Sequence, residues 1–173
     1  MMKKRTRALA LVLLMTSGMV KAADTATITI TGRVLANTCT LDTKTLSVEL
    51  PTISTVDFGG AAGKEAGEVV VPVSFSSCGE DVKSIAVNIS GTPDPDDSGG
   101  RVFKNSGTSD GVGVVLYDSD GIRFNPDGSS KGVAIKPNGG TASKEYKAKY
   151  RSTKSEVKGG TVSTVITATF TYS

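Results

Sequence analysis

Apolar residues recur at every second position in one segment of this chain after another, and no helical period of any length appears. A strand turns successive side chains to opposite faces, so alternation marks strands buried on one side. The candidates are "TATITITGRVL" (25–35), "TLSVELP" (45–51), "VVVPVSFSSC" (69–78), "SIAVNISG" (84–91), "GVGVVLYD" (111–118), "KEYKAKYRS" (144–152) and "GGTVSTVITATFTYS" (159–173). Pro72 places the third at a sheet edge or a bulge. Between them lie the turn-rich stretches "STVDFGGAAGKEAGE", "TPDPDDSGG", "SDGIRFNPDGSSKG", "PNGG" and "EVKGG". The composition is rich in Thr, Ser, Val and Gly and has no Trp and no His, which suits strands and turns. Seven or more short strands predict an all-β, Greek-key sandwich of immunoglobulin type.

The first residues follow another pattern. "MMKKRTR" is charged, "ALALVLLM" is apolar, and "TSGMVKA" ends in small residues. This is the layout of a secretory signal peptide, with cleavage after Ala22. Its apolar run is too short to span a bilayer, which takes ~20 residues. No later run is longer, so an exported, soluble mature protein is expected. Cleavage removes Lys3, Lys4, Arg5, Arg7 and Lys21, which leaves 15 basic residues against 17 acidic ones and turns a formal charge of +3 into −2. The basicity therefore belongs to the precursor, and charge gives no argument for nucleic-acid binding. The remaining length is that of one domain with a real core.

Cys39 and Cys78 both follow the signal peptide and would meet an oxidising compartment. A disulfide between them closes a loop of about 40 residues, worth roughly 4 kcal/mol in the chain-entropy account. Without His or further Cys a zinc site is disfavoured, as are Ser-His-Asp and Cys-His arrangements. The acidic loops "DPDD" and "DSDG" lack the glycine and glutamate positions of a calcium-binding loop. "NIS" at 88–90 matches a glycosylation sequon but falls inside a predicted strand. The expectation is a protein that is not an enzyme and needs no cofactor.

The two ends are the most informative parts. Residues 25–35 are an uncommitted strand just after the cleavage site, and the last strand runs to within one residue of the C-terminus. Chain ends usually fray, so a core-like terminus calls for a reason. "TITITGRVLANTCTL", with its central Gly and following Cys, the second Cys after "VPVSF", and an ending with Gly160 fourteenth from the end and Tyr172 penultimate together resemble the pilus subunits of the chaperone–usher pathway, the type 1 fimbrial proteins.

The resemblance implies an immunoglobulin-like fold that lacks its last strand. A periplasmic chaperone would fill the gap first. The N-terminal extension of a neighbouring subunit would then replace it by donor-strand exchange at an outer-membrane usher. On this basis residues 1–22 are the signal peptide, 23–36 the extension and 37–173 the pilin domain. Ala26, Ile28, Ile30, Gly32 and Val34 would be the inserted residues. Gly160, Val162, Thr164, Ile166, Ala168, Phe170 and Tyr172 would form the groove strand read by the chaperone, with Ser173 as the anchored carboxylate. The implied role is a structural subunit of a cell-surface fimbrium supporting adhesion. The ends look closer to the minor tip adaptors than to the major rod subunits. The alternatives are a rod subunit, a subunit that ends the pilus at its base, and a monomeric secreted β-sandwich binding module.

Overall fold

A computed structural model of the protein describes residues 29–32 and 38–173. Thr29–Gly32 belong to a unit separate from the body that begins at Val34, and they carry no regular secondary structure. Ala26, Ile28 and Val34 lie outside the described residues, as does the expected signal peptide.

Among the described residues the body has six strands: β1 (Thr40–Leu41), β2 (Glu65–Ser76), β3 (Ile85–Gly91), β4 (Val112–Asp118), β5 (Ala142–Ser152) and β6 (Ile166–Tyr172). They form a four-stranded antiparallel sheet in the order β1-β2-β5-β4 and a two-stranded sheet of β3 and β6. One short 3-10 turn, Thr55–Phe58, precedes β2. The main core is sandwiched between the sheets: Val87 and Ile89 of β3 meet Val114 and Leu116 of β4, Tyr146 and Ala148 of β5, and Phe103 and Phe124 from connecting segments. A smaller cluster of Phe75, Val82, Ile85, Ile135 and Ala142 closes one end, where Cys39 and Cys78 are joined by a disulfide.

Strands β3 to β5 fall where alternation places them, within a few residues, whereas β6 is shorter than expected and starts only at Ile166, where its pairing with β3 begins. β2 is longer than expected, because it starts at Glu65, inside a stretch assigned to a loop. The added residues are held by charge. Glu65 pairs with Arg151 (2.8 Å), and Glu68 lies between Lys147 and Lys149 (3.1 Å each), all on β5. A bulge at Gly67 allows this register. Its φ of +61° favours glycine, and a Cβ there would press on Tyr150 at 3.1 Å. Pro72 does sit at an edge. Asp42 N–H donates to the Ser74 carbonyl, so even-numbered backbone groups of β2 face outward, and the missing N–H of Pro72 removes no bond to β5. Segment 45–51 is not a strand: Leu46 and Val48 are exposed, and only Leu50 packs on the core. Alternation tells which way side chains must turn, but a strand also needs a neighbour for its backbone, and this segment has none among the described residues.

The buried carboxylate of Asp118 organises the turn-dense excursion after β4. Its Oδ1 accepts the N–H groups of Asp120 (3.0 Å) and Ile122 (2.8 Å), and its Oδ2 accepts that of Val133 (3.1 Å). The amide of Asn88 donates to the Gly128 carbonyl, so the sequon asparagine is committed to the same region. Tyr146 is register partner to Asp118 and its hydroxyl is buried without a hydrogen-bond partner. Burial first, and the nearby Asp118 charge second, push its phenol up to about 12.

Two outcomes follow from this arrangement. Asp118→Ala removes the buried acceptor shared by three main-chain N–H groups and is expected to destabilise the fold by about 3 kcal/mol, read from urea unfolding. Tyr146 ionises more readily unfolded, near pH 10, than folded, near 12. Its contribution is therefore complete below pH 10 and is lost as pH rises through that window. Tyr146→Phe should remove that part of the alkaline loss, followed by circular dichroism, and should not lower stability at neutral pH, because it deletes an unpaired buried hydroxyl.

Candidate functional site

In an antiparallel pair, residues opposite one another share a face. On β3 and β6 the core-facing pairs are Ile85–Tyr172, Val87–Phe170 and Ile89–Ala168. The β3 members are 0%, 4% and 2% exposed. Across the ladder, Tyr172 and Phe170 are only half-buried and Ala168 is exposed. One column is sealed and the next is open, because no strand lies beyond β6 among the described residues.

The other sheet repeats the gradient. Ala148 and Tyr146 on β5 are buried, whereas their β2 partners Val69 and Val71, with Val73, are half-buried. β1 pairs only with Phe75 and Ser76, and there the seal is restored, with Phe75 1% exposed. The two open columns meet through the core: the rings of Phe75 and Phe170 are edge-to-face at 4.9 Å, and Tyr172 lies 6.4 Å from Phe75. Val162, Ile166, Phe170 and Leu50 pack on the same main cluster. The result is an apolar trough walled by β6 and the residues before it, with the inner face of β2 below.

The backbone of that wall is as open as its side chains. Ser173 and Ser84 exchange both main-chain bonds (3.0 and 2.9 Å), so they form a hydrogen-bonded pair. Bonded pairs alternate along an antiparallel ladder, so Thr171, Thr169 and Thr167 also turn their N–H and C=O groups to β3. Ile166, Ala168, Phe170 and Tyr172 turn theirs to the opposite edge, where no strand pairs among the described residues. The same parity holds before β6. Thr161 and Ser163 give their main-chain groups to the loop 105–109. The even-numbered residues from 162 to 172 thus offer both an apolar side chain or Thr methyl and an unpaired edge.

Among the residues singled out from the sequence, Ile166, Ala168, Phe170 and Tyr172 lie on β6, and Val162 and Thr164 continue the wall. Gly160 stands outside the trough, where the chain crosses the 105–109 loop. A Cβ there would sit 2.6 Å from the Ser109 nitrogen, which explains the glycine by close approach. Ser173 is tied down: its carbonyl oxygen accepts from Lys83 (2.7 Å) and Ser84 (2.9 Å), and its hydroxyl meets that of Ser84 (2.7 Å). Ile30 is exposed, as is Gly32, in the separate N-terminal unit. Sequence reasoning missed Val69, Val71, Val73 and Leu50 as trough residues. Their alternation was visible, but nothing in it tells a sealed face from a half-open one. The Asn105–Ser109 contribution was missed too, because its bonds run through side chains of a polar loop.

None of the trough residues carries a carboxylate or an amine. Anything bound there is held by burial and main-chain bonds, which salt screens little. Among the described residues no group of three or more His, Cys, Asp or Glu is placed to hold a metal ion.

Comparison with known proteins gives one consistent picture. The family model described as Fimbrial protein matches residues 28–173. Protein FimG of Escherichia coli K12 is 29% identical over 170 residues, covering 98% of each chain. S-fimbrial adhesin protein SfaS of Escherichia coli O6:K15:H31 is 31% identical over 153 residues, covering 88% of this chain and 87% of that one. Among solved structures, the P pilus rod subunit PapA superposes with a TM-score of 0.64 at 17% identity, over 78% of this chain and 99% of that one. A chaperone–usher pilus structure gives the same TM-score and identity over 90% and 100%. The fold is that of pilus subunits, an immunoglobulin-like sandwich short of one strand.

The edge parity makes a residue-level prediction. In a chain without residues 23–35, amide hydrogen exchange by NMR should be slow at Thr167, Thr169 and Thr171. It should be at least tenfold faster at Ile166, Ala168 and Phe170. Uniform protection along β6 would mean that both edges are paired.

Proposed function

The chain belongs to the fimbrial protein family, and on that premise we propose that it polymerises by donor-strand exchange, as a structural subunit of a chaperone–usher fimbria. The observation that carries this reading is the pair of half-open columns on β6 and β2, beside sealed columns on β3 and β5. A strand laid along β6 would complete the sheet with main-chain bonds while its alternate side chains fill the trough. This chain's own extension has the pattern such a donor needs: Ala26, Ile28, Ile30, Gly32 and Val34 on one face, and Thr27, Thr29, Thr31 and Arg33 on the other. Burying Ile28, Ile30 and Val34 contributes about 1.5–3 kcal/mol each. Gly32 suits a shallow stretch where the backbones approach closely.

In this scheme residues 1–22 direct export and are removed, residues 23–36 serve the neighbour, and residues 37–173 form the pilin domain. Before a donor arrives the open trough is an aggregation hazard. A periplasmic chaperone would cover it, with Phe170, Tyr172 and the Ser173 terminus in the surface it reads, and the outer-membrane usher would assemble the fibre. A place among the minor tip adaptors is supported by the short extension, which starts soon after the cleavage site, and by similarity to FimG along 98% of both chains. The rod position is the alternative.

The test compares the mature chain with one lacking residues 23–35, each refolded oxidised, with and without a synthetic peptide of residues 23–35. Deletion should leave thermal stability nearly unchanged, because the strand serves another molecule. The peptide should then raise the melting temperature sharply. A truncated chain that unfolds and is merely restored by the peptide to the level of the intact monomer would mean a closed, monomeric module.

A further inference from the structure

β6 by itself is too short for the strand it is proposed to receive. Its seven residues span ~23 Å, whereas a donor segment from Ala26 to Val34 needs ~30 Å. β3 gives no further support. Its last pair is Gly91 with Ile166, and the Gly91 N–H turns away to the Pro126 carbonyl (2.8 Å). The rest of the wall, residues 161–163, is held by the loop between Asn105 and Ser109.

Asn105 is the hub of that contact. Its Oδ1 accepts the N–H groups of Gly107 (2.7 Å) and Ser163 (2.9 Å). Its Nδ2 donates to the carbonyls of Ser109 (2.8 Å) and, more weakly, Thr161 (3.5 Å). Both acceptor positions and both donors of the amide are thus engaged. Around it, Ser106 donates its N–H and hydroxyl to the Ser163 carbonyl (2.8 and 3.0 Å). Ser109 N–H donates to the Thr161 carbonyl (3.0 Å), and Thr161 N–H donates to Thr108 Oγ1 (2.9 Å). These bonds fill the outer edge of residues 161 and 163 and leave residue 162, whose side chain packs on the core, facing the trough.

We propose that Asn105 is a positioning residue for donor-strand capture, holding residues 161–163 as an extension of the β6 wall so that the trough accepts the full length of the donor. This role rests on the donor-strand function proposed above. The clamp is polar and lies near the surface, so removing it opens one end of the trough without opening the sealed columns on β3 and β5.

The test uses the full mature chain, residues 23–173, and a fluorescently labelled peptide of residues 23–35. Two shorter peptides lack residues 23–27 or 33–35. Asn105→Ala should speed dissociation of the full peptide at least tenfold and keep the peptide-free melting temperature within about 4 °C of wild type. It should also bind one of the two shortened peptides as well as wild type does, because only the end at residue 162 is loosened. Asn105→Asp keeps the acceptors and loses the donors, so it should fall between the two, and it carries the test if the alanine variant does not fold. Asp118→Asn, on β4 and separated from the β2 floor by β5, controls for general destabilisation. Equal dissociation from wild type and variants would overturn the role, as would equal acceleration by Asp118→Asn. A wild-type chain that takes up no peptide would overturn the donor-strand function itself and this role with it.

Discussion

The structure turns on one unsatisfied edge. β6 contributes Phe170 and Tyr172 to the core clusters, yet among the described residues only its β3 side has a hydrogen-bonding neighbour. Sealing the other edge under side chains alone would bury unpaired N–H and C=O groups, at about 1–3 kcal/mol each. Leaving it open exposes apolar side chains to water. Only another strand meets both demands, because it brings main-chain partners and alternate side chains together. The fold thus specifies the kind of group that completes it.

The rest of the molecule is arranged so that this edge can stay open without collapse. The columns on β3 and β5 are sealed independently of β6's free side. The disulfide fastens the chain ahead of β1 to the end of the short Phe75 cluster, where β1 restores the seal. Asp118 fixes the long excursion after β4 from within, using a carboxylate in place of a core of its own. Ser173 is bonded to Lys83 and Ser84, so the wall does not fray at its last residue. β3 thus holds one side of this strand as far as Ser173, and the other side is the one the proposed donor would use.

Much of this was legible in the sequence, and the limits have physical causes. Period-two alternation located β3, β4, β5 and β6, because each has one face against the core and a neighbour for its backbone. It failed at 45–51, where the side-chain pattern of Leu46, Val48 and Leu50 exists without a ladder. It shortened β2, because Glu65 and Glu68 are fixed by cross-strand Arg151, Lys147 and Lys149 and not by burial. The cysteine pairing followed from counting. The β6 wall was visible only through the family resemblance, since nothing in "ITATFTY" distinguishes a closed edge from an open one. The floor on β2 and the Asn105 clamp require three-dimensional neighbours and had no sequence signal.

The geometry of β6 also explains the contrast between its two sets of positions. Even-numbered residues carry both functions at once, a side chain toward the trough and backbone groups toward the free edge. Odd-numbered Thr167, Thr169 and Thr171 carry neither; their backbone is spent on β3 and their side chains are exposed. A polar residue at an odd position leaves the trough unchanged. At an even position it lowers the apolar area a donor can bury and places an unpaired group beside the new ladder. The same division holds in the sequence of the proposed donor, where Ile28, Ile30 and Val34 alternate with Thr and Arg. In the proposed scheme the two strands come from different molecules. The contact they would make uses two different surfaces, so it would be heterologous: each subunit that received a strand would still have one to give, and growth would be linear.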